Sequence, residues 1–226
     1  MEVIGIMRIE YLNYRSNMRI LGTPEVWGKE TALARPKEFD REKVLEQAML
    51  VFWEKGYECT SMQDLVGAMG INRGSLYATF GGKRSLHLEA LEYFYKTQIE
   101  TMLAPLTGPG SKRAAIREIF ENEARCACEN GDRRGCMMYN AAVELCPSDT
   151  EVLERVATGL RRVEACFYEA LQKAQENGEL LADRDPRALA RYLTNSLNGL
   201  RVMCMVFEDH GTLDDIVNTS LSMLDR

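Results

Sequence analysis

The residues best suited to binding chemistry lie in one short stretch, from Asn72 to Lys83. At 3.6 residues per helical turn, Leu76 and Phe80 fall on a buried side, and the polar residues around them face outward. The outward side chains include a guanidinium, which can donate two hydrogen bonds to a guanine edge, and hydroxyls, which can bond phosphates. These residue types on one short helix suit the major groove of double-stranded DNA.

Each polar residue of this stretch fits a separate part of such a contact. Arg73 begins the helix and can pair with guanine, while Gly74 lets the backbone approach the bases closely. Lys83 begins the next helix, where its charge and the free amide hydrogens favour a phosphate, and the start of the preceding helix offers the same arrangement. The predicted DNA-contacting residues are Thr60, Ser61, Asn72, Arg73, Gly74, Ser75, Tyr77, Thr79 and Lys83.

The elements around this stretch have the pattern of a helix-turn-helix. A first helix is predicted to start after Asp40, a good N-cap, and to stop at Gly56. A second is predicted to start at Ser61 and to stop at Gly70, which supplies the bend of a turn that ends at Asn72. The buried side of this second helix is expected to be Leu65, Ala68 and Met69. Because glycine-containing turns between helices are common, a corner of a purely structural bundle is the alternative interpretation.

Helical periodicity continues to the end of the chain. A fourth helix is predicted from Lys83 to about Met102, followed by a loop from Pro105 to Gly110. Further helices are predicted at about Ser111–Glu129, Arg134–Leu145, Asp149–Asn177, Pro186–Glu208 and Thr212–Leu224. No stretch shows sustained two-residue alternation, so the predicted fold class is all-α. It comprises an N-terminal three-helix helix-turn-helix domain over 37–86 and a C-terminal helical bundle for ligand binding and dimerisation over 87–226.

The first 36 residues do not share this periodicity. Translation could start at Met1, Met7 or Met18. Gly22, Pro24, Gly28 and Pro36 interrupt any periodic pattern. We interpret residues 1–36 as an extension of uncertain structure. A mispredicted start or a disordered tail is favoured over an arm that contacts DNA.

The distribution of charge restricts where a DNA contact can lie. The net charge of −6 argues against a general polyanion binder. Lys and Arg exceed Asp and Glu by 8 to 7 over residues 35–87, whereas from residue 88 onward they are outnumbered by 16 to 23. The contact must therefore be a focused patch on the N-terminal part, backed by an acidic body.

Other features of the composition concern compartment and redox state. No apolar run approaches the ~18 residues needed to span a bilayer, and no signal peptide is evident, so we expect a cytoplasmic protein without a membrane partner. The seven cysteines are an odd number in such a chain, which indicates reduced thiols and not a disulfide framework.

The segment from Pro36 to Phe94 resembles the signature of the TetR family. The matching positions are Gly56-Tyr57, Thr60-Ser61-Met62, Asp64-Leu65, the run from Gly70 to Tyr77, Phe80, Lys83 and Leu86. The resemblance implies an Ω-shaped homodimer whose first three helices bind DNA and whose fourth helix links them to an effector domain. It also implies that Tyr77 and Lys83 touch phosphates and that Arg73 and Ser75 read bases. Val66 departs from the small alanine that the family often has there.

The last two predicted helices have broad apolar faces that could form a dimer interface. Two such helices from each subunit can build a four-helix interface around a two-fold axis, although the same faces could pack within one subunit. The family resemblance favours dimerisation. The faces consist of Leu189, Leu193, Leu197, Leu200 and Val202 on one helix and Leu213, Ile216, Val217, Leu221 and Leu224 on the other.

A second resemblance covers the run from Arg134 to Leu145, which is similar to a Gly-Cys-x-x-x-Asn-x-x-x-Glu segment in one branch of the family, including electrophile- and copper-responsive repressors. Its Cys, Tyr and Asn could line a mostly apolar pocket, although Cys136 as a small packed hydrophobe without a redox role is favoured. The predicted effector-binding residues are Met102, Cys136, Tyr139, Asn140, Phe167 and Met203.

Other kinds of site have less support. Cys126 and Cys128 could bind copper(I), but side chains two residues apart on a helix point to different sides, so no metal site and no cofactor are predicted. The chain has no glycine-rich phosphate loop and no histidine pair at helical spacing, which argues against an enzyme; His87 and His210 are expected to be structural or solvated. The sequence therefore predicts a repressor that binds a palindromic operator as a homodimer and is released by a small effector. A helical ligand-binding or adaptor module is the remaining rival.

Overall fold

A computed structural model describes residues 39–225, in which the chain forms ten α-helices, one π-helical segment and one 3-10 turn, without a β-strand. The all-α prediction is confirmed. The predicted extension, residues 1–36, lies outside the described residues. Within the described part, no helix is both long and apolar enough to cross a membrane.

The helix-turn-helix consists of three helices that begin at side-chain caps. Helix α1 spans Arg41–Lys55, α2 spans Met62–Met69 and α3 spans Arg73–Phe80. The Asp40 carboxylate accepts the amides of α1, and Ser61 forms a complete capping box with Asp64. Such caps satisfy amides that a helix start leaves without partners. Local residues therefore set where each of these helices begins.

The turn between α2 and α3 has the predicted geometry. Gly70 adopts φ +65°, a left-handed conformation that side chains oppose. The apolar faces of α1 and α4 close over the turn, and Ala48, Met49, Leu65 and Leu76 are fully buried. Ala68, predicted to be buried, is exposed, because Leu65 and Met69 alone give α2 its inner face.

A long helical rod leads from α1–α3, which we call the reading helices, into the body, the helices that follow from Lys112 onward. It begins as α4, Lys83–Phe94, passes through a π-helical segment, Tyr95–Ile99, and ends as α5, Glu100–Thr107. The predicted end near Met102 and the predicted loop from Pro105 are wrong, because Pro105 lies inside α5 and the chain leaves the helix at Gly108. A proline inside a helix lacks the amide donor, and its ring crowds the carbonyl four residues earlier. Its helical acceptor would be the carbonyl of Thr101, a residue exposed to solvent.

The body packs five further helices around the end of the rod. They are α6, Lys112–Asn130; α7, Met137–Leu145; α8, Thr150–Glu176; α9, Pro186–Val206; and α10, His210–Leu221, which continues into the 3-10 turn Ser222–Leu224. Ile116, Phe120, Phe167 and Leu171 form its fully buried centre. The predicted start of α7 at Arg134 is wrong: Gly135 has φ +65° and Cys136 is extended, so the helix starts at Met137.

The apolar faces assigned to the dimer interface are mostly internal. Leu193, Leu197 and Leu200 of α9 are buried against α8 and α6, and α10 packs its apolar side on α6. Of the ten residues predicted for the interface, seven are buried, namely Leu193, Leu197, Leu200, Leu213, Val217, Leu221 and Leu224, while Leu189 and Ile216 are half-buried. Only Val202 is exposed. Those faces mostly serve the core of the subunit, so the seven buried residues are not accessible to a partner in this conformation, whereas Val202 remains a predicted interface residue.

Candidate nucleic-acid interface and cavity

Helix α3 presents a guanidinium and a phenol together on the protein surface. The carbonyl oxygen of the Asn72 side chain accepts the Ser75 amide at 2.8 Å, which fixes the start of the helix. Arg73 and Tyr77 follow one turn apart, with the guanidinium carbon 5.8 Å from the centre of the phenol ring. Tyr77 is 47% exposed. An exposed aromatic beside an exposed arginine is a suitable pair for bases and phosphates.

The start of α4 forms the second part of the surface. Gly82 precedes the helix at φ +135°, and no side chain caps the first turn, so its amide hydrogens remain available to an anion. Lys83 is the first helical residue, and its ammonium lies 4.3 Å from the centre of the Tyr57 ring. A Cβ at position 82 would lie 3.3 Å from the Tyr77 ring. The close approach of Tyr77 to Gly82 therefore places Tyr77 and Lys83 at one helix terminus.

The other predicted contact residues differ in how far they are exposed to solvent. Gly74 is exposed at the surface of α3, and Ser75 and Thr79 are half-buried. Ser61 is exposed, but its hydroxyl donates to the Asp64 carboxylate at 2.6 Å and accepts the Asp64 amide. Lys55 also donates to Asp64, and these hydrogen bonds hold the pKa of that carboxyl well below its usual range.

Thr60 is the buried member of the predicted contact residues. Its side chain is buried, its hydroxyl donates to the Gly56 carbonyl at 2.5 Å, and its amide donates to the Tyr57 carbonyl at 3.2 Å. Both donors are therefore engaged inside the turn between α1 and α2, and contact between Thr60 and a phosphate remains a prediction. The residue shapes the turn from within.

The sequence analysis missed a set of contacts that tie the reading helices to the body. Arg84 on α4 donates two hydrogen bonds to Asp149, both at 2.9 Å, and a third to Glu151 at 2.7 Å. The hydrogen bonds from Arg84 lower the pKa of Asp149 to about 2. Glu144 of α7 accepts backbone amides from the turn after α1. The partners in these hydrogen bonds lie more than 60 positions apart in sequence, so the periodicity of a single sequence does not predict them.

A small cavity lies inside the body, beside the π-helical segment of the rod. It is lined by Tyr95, Ile99, Met102, Cys136, Met138, Gly159, Leu160, Val163, Leu197, Asn198 and Arg201. Its free space is about 10 Å³, close to the requirement of one water molecule. A drug-sized ligand would need this wall to move.

Two of the six predicted effector residues, Met102 and Cys136, line this cavity. Phe167 is fully buried in the core, with its ring centre 6.5 Å from that of Phe120. The Asn140 side chain instead donates to the Arg134 carbonyl at 2.9 Å, and Tyr139 and Met203 also lie outside the lining. These four residues lie outside this cavity because helix periodicity does not fix which inward face meets a void, and their contact with an effector remains a prediction.

The guanidinium and the amide side chain of the cavity wall are paired. Arg201 donates to the Glu123 carboxylate at 2.9 Å, and both side chains are 11% exposed. The Asn198 amide donates to the Thr194 carbonyl at 2.6 Å. Burial raises the pKa of Tyr95 to about 12, so its phenol is neutral at physiological pH. The wall is therefore mostly apolar, with a charge-balanced pair at one side.

The thiols of Cys128 in α6 and Cys204 in α9 are protonated at neutral pH. Burial raises the pKa of Cys204 to about 12, with the Glu123 charge in support, and burial also raises the pKa of Cys128. A thiolate, not a thiol, is the metal ligand and the nucleophile. Among residues 39–225, no group of three or more His, Cys, Asp or Glu side chains is arranged to hold a metal ion.

These features define a helix-turn-helix protein with an attached helical body, and comparison with known proteins agrees. Residues 44–90 match the family model described as bacterial regulatory proteins, tetR family. Residues 113–219 match the model described as tetracyclin repressor-like, C-terminal domain. The two matches together cover the reading helices and most of the body.

Individual relatives extend over nearly the same region. The HTH-type transcriptional regulator YezE of Bacillus subtilis is 39% identical, over 85% of this chain and 100% of its own length. The HTH-type transcriptional repressor ComR of Escherichia coli is 29% identical, over 84% of this chain and 90% of its own length. A cysteine variant of the regulator CifR, solved with a 26-base-pair operator, is 31% identical with a TM-score of 0.74, over 83% of this chain and 98% of that one. This chain belongs to the TetR family of transcriptional regulators.

Proposed function

We propose that this protein is a transcriptional repressor that binds a palindromic operator as a homodimer and is released by a small effector in the body. The observation that carries the proposal is the surface formed by α3 and the start of α4. There Arg73 is exposed for base contact, and Tyr77 and Lys83 flank a helix terminus suited to a phosphate. The similar ComR is described as a repressor, and the similar CifR is bound to operator DNA.

The outer face of α9 supports a second copy of the chain as the partner. Apart from Arg191, whose guanidinium lies 3.4 Å from the Glu164 carboxylate of α8, its exposed residues carry no charge and repeat at spacings of four and three along the helix: Ala188, Tyr192, Asn195, Gly199, Val202 and Val206. This spacing keeps one seam facing a neighbouring helix, as in coiled coils. Two-fold pairing of this face would match the symmetry of a palindromic DNA site.

A substitution in the middle of this face tests the dimer. Val202→Asp buries a charge if the face is an interface, so we expect the protein to sediment as one chain instead of two. Val143, 82% exposed on α7, offers a matched control, and Val143→Asp should leave the mass unchanged. A Val202→Asp protein that keeps the mass of two chains would remove α9 from the interface.

The position of the cavity supports effector release. Tyr95 and Ile99 belong both to its wall and to the π-helical segment of the rod that begins at Lys83. Single π turns inside α-helices are frequent at functional sites. An effector that widens the cavity would move this segment and tilt the start of α4. It must then bind the tilted state better than the DNA-bound state.

The decisive test is operator binding by Arg73→Ala. We expect it to weaken binding to the DNA upstream of the protein's own gene by ~1–3 kcal/mol and to relax sequence preference. Fluorescence anisotropy with operator and random duplexes measures both. Arg161→Ala, which removes an exposed arginine from α8, is the control and should bind like wild type.

The same experiment separates the repressor from a helical adaptor without a DNA function. Equal losses on specific and random DNA would contradict base reading by Arg73. If the wild-type protein selects no duplex from a randomised pool, the adaptor is the better description.

A further inference from the structure

The turn after α1 is held by a carboxylate that belongs to the body. Glu144, in the last turn of α7, accepts the Tyr57 amide with Oε2 at 2.9 Å and the Glu58 amide with Oε1 at 2.7 Å. Hydrogen bonds to an ionised acceptor are stronger than neutral ones. We call α1–α3 together with α4 the reading domain. Two of its adjacent amides are thus fixed by one side chain that lies 86 and 87 positions away in sequence.

The reading domain has room for this carboxylate because position 56 is a glycine. Gly56 adopts φ +76°, and a Cβ there would lie 3.0 Å from Glu144 Oε2 and 3.3 Å from Oε1. A side chain at this position would therefore be strained in its backbone and would also press on the carboxylate. Gly56 both ends α1 and admits Glu144.

The turn that Glu144 holds supports the predicted phosphate-binding side chain. The Tyr57 ring lies 4.3 Å from the Lys83 ammonium and 4.9 Å from the ring of the buried His87. A shift of the turn would therefore move the platform under Lys83. It would also move the start of α2, because Thr60 bonds both Gly56 and Tyr57.

The other end of α7 belongs to the cavity. Cys136, just before the helix, and Met138, in its first turn, line the wall. Met138 and Glu144 are six residues apart, about 9 Å along a helix that rises 1.5 Å per residue. Next to this end, the Gly135 carbonyl accepts the Trp53 indole N–H of α1 at 3.0 Å. Helix α7 is thus a short rigid connection between the cavity wall and the reading domain.

We infer that Glu144 is the positioning residue through which movement of the cavity wall reaches the DNA-reading surface. Its carboxylate holds the turn after α1 in the DNA-binding arrangement, and displacement of α7 at the cavity withdraws it. The inference rests on the proposed function, since it assigns a path to the release step. It requires that α7 has two discrete positions. The cavity and the turn after α1 must both shift the equilibrium between these positions.

The first test replaces Glu144 and follows its two amides. In Glu144→Gln, one carboxylate oxygen becomes an amide nitrogen that faces an N–H donor, so one hydrogen bond is lost. We expect faster hydrogen exchange at Tyr57 and Glu58, and operator affinity lower by on the order of tenfold. Circular dichroism and exchange in α8 should remain as in wild type. Glu154→Gln, at an exposed position of α8, is the matched control.

The second test perturbs the cavity without an effector. A Cβ at position 159 would lie 2.4 Å from the terminal methyl of Met138 and 3.5 Å from the Tyr95 ring, so Gly159→Ala must displace at least the end of the Met138 side chain, which forms part of the wall. We expect Gly159→Ala to weaken operator binding and to speed exchange at Tyr57 and Glu58. Combined with Glu144→Gln, its effect should be much smaller than in wild type, because the connection is already broken.

The outcomes distinguish this inference from the proposed function. If wild type binds its operator and Glu144→Gln binds it equally well, the positioning role is wrong while the repressor stands. Full additivity of the two substitutions, or a Gly159→Ala protein that behaves as wild type, overturns the transmission through α7. A wild-type protein that selects no duplex overturns both.

Discussion

The reading domain and the body are built from helices of the same kind, but they begin their functional helices differently. In the reading domain, α1, α2 and α3 each start at a side-chain cap, provided by Asp40, Ser61 and Asn72. In the body, α8, α9 and α10 also start at side-chain caps, but α7, which borders the cavity, starts at Met137 without one, and the rod changes to π-helical hydrogen bonding beside the cavity. Caps fix a helix start locally. Irregular segments leave the position of a helix to its tertiary contacts.

This difference suggests a division of labour within the fold. A surface that reads DNA requires strict hydrogen-bond geometry, which local capping supplies. A ligand-responsive wall requires two positions of similar free energy, which weakly fixed elements allow. Contacts such as those of Glu144 and Arg84 then join the two regions.

The largest expected difference between the two regions is the loss of folding stability of the reading domain at acidic pH. His87 is buried between the rings of Phe52 and Tyr57, and burial lowers its pKa from 6.5 to about 4. Between these values the unfolded chain binds a proton that the folded chain does not, so stability falls as the pH drops from 6.5 toward 4. At 1.36 kcal/mol per pH unit, the total loss from this group is about 3 kcal/mol.

Urea unfolding at pH 7.5 and pH 5 measures about 2 kcal/mol of this loss, and hydrogen exchange locates it. Exchange should accelerate in α1 and α2 more than in α8. His87→Leu should reduce the difference between the two pH values, whereas His210→Gln, at an exposed position, should preserve it. If His87→Leu retains the full pH dependence, the histidine is not its source.

Replacing either of two glycines in the reading domain by alanine should change the free energy of unfolding by less, and with opposite sign at the two positions. Gly70 has φ +65° and Gly67 lies inside α2, and a Cβ at either would meet no atom within 4 Å. Backbone conformation alone then decides the result. We expect Gly70→Ala to cost about 1 kcal/mol and Gly67→Ala to stabilise by about 0.5–1 kcal/mol. Equal shifts in thermal unfolding for both variants would contradict the assigned turn.

The same contrast explains which features the sequence could predict. The reading domain was largely predictable, since caps at Asp40, Ser61 and Asn72 and the turn glycine at Gly70 act on neighbouring residues. Thr60 was not, because a threonine before a helix can face solvent or donate inward to Gly56, and only the folded turn decides. The body was less predictable. The inward faces of α9 and α10 look alike for a core and for an interface, and only packing separates Leu197 from Val202.

The central claim is that the surface of α3 and the start of α4 binds the DNA backbone and bases, and the salt dependence of operator binding by Lys83→Ala tests it most directly. Each neutralised phosphate contributes about 0.9 to the slope of log affinity against log salt. We predict that Lys83→Ala weakens binding to operator and random duplexes alike and flattens this slope by about one phosphate. A slope equal to that of the wild-type protein would remove Lys83 from the interface and contradict the account.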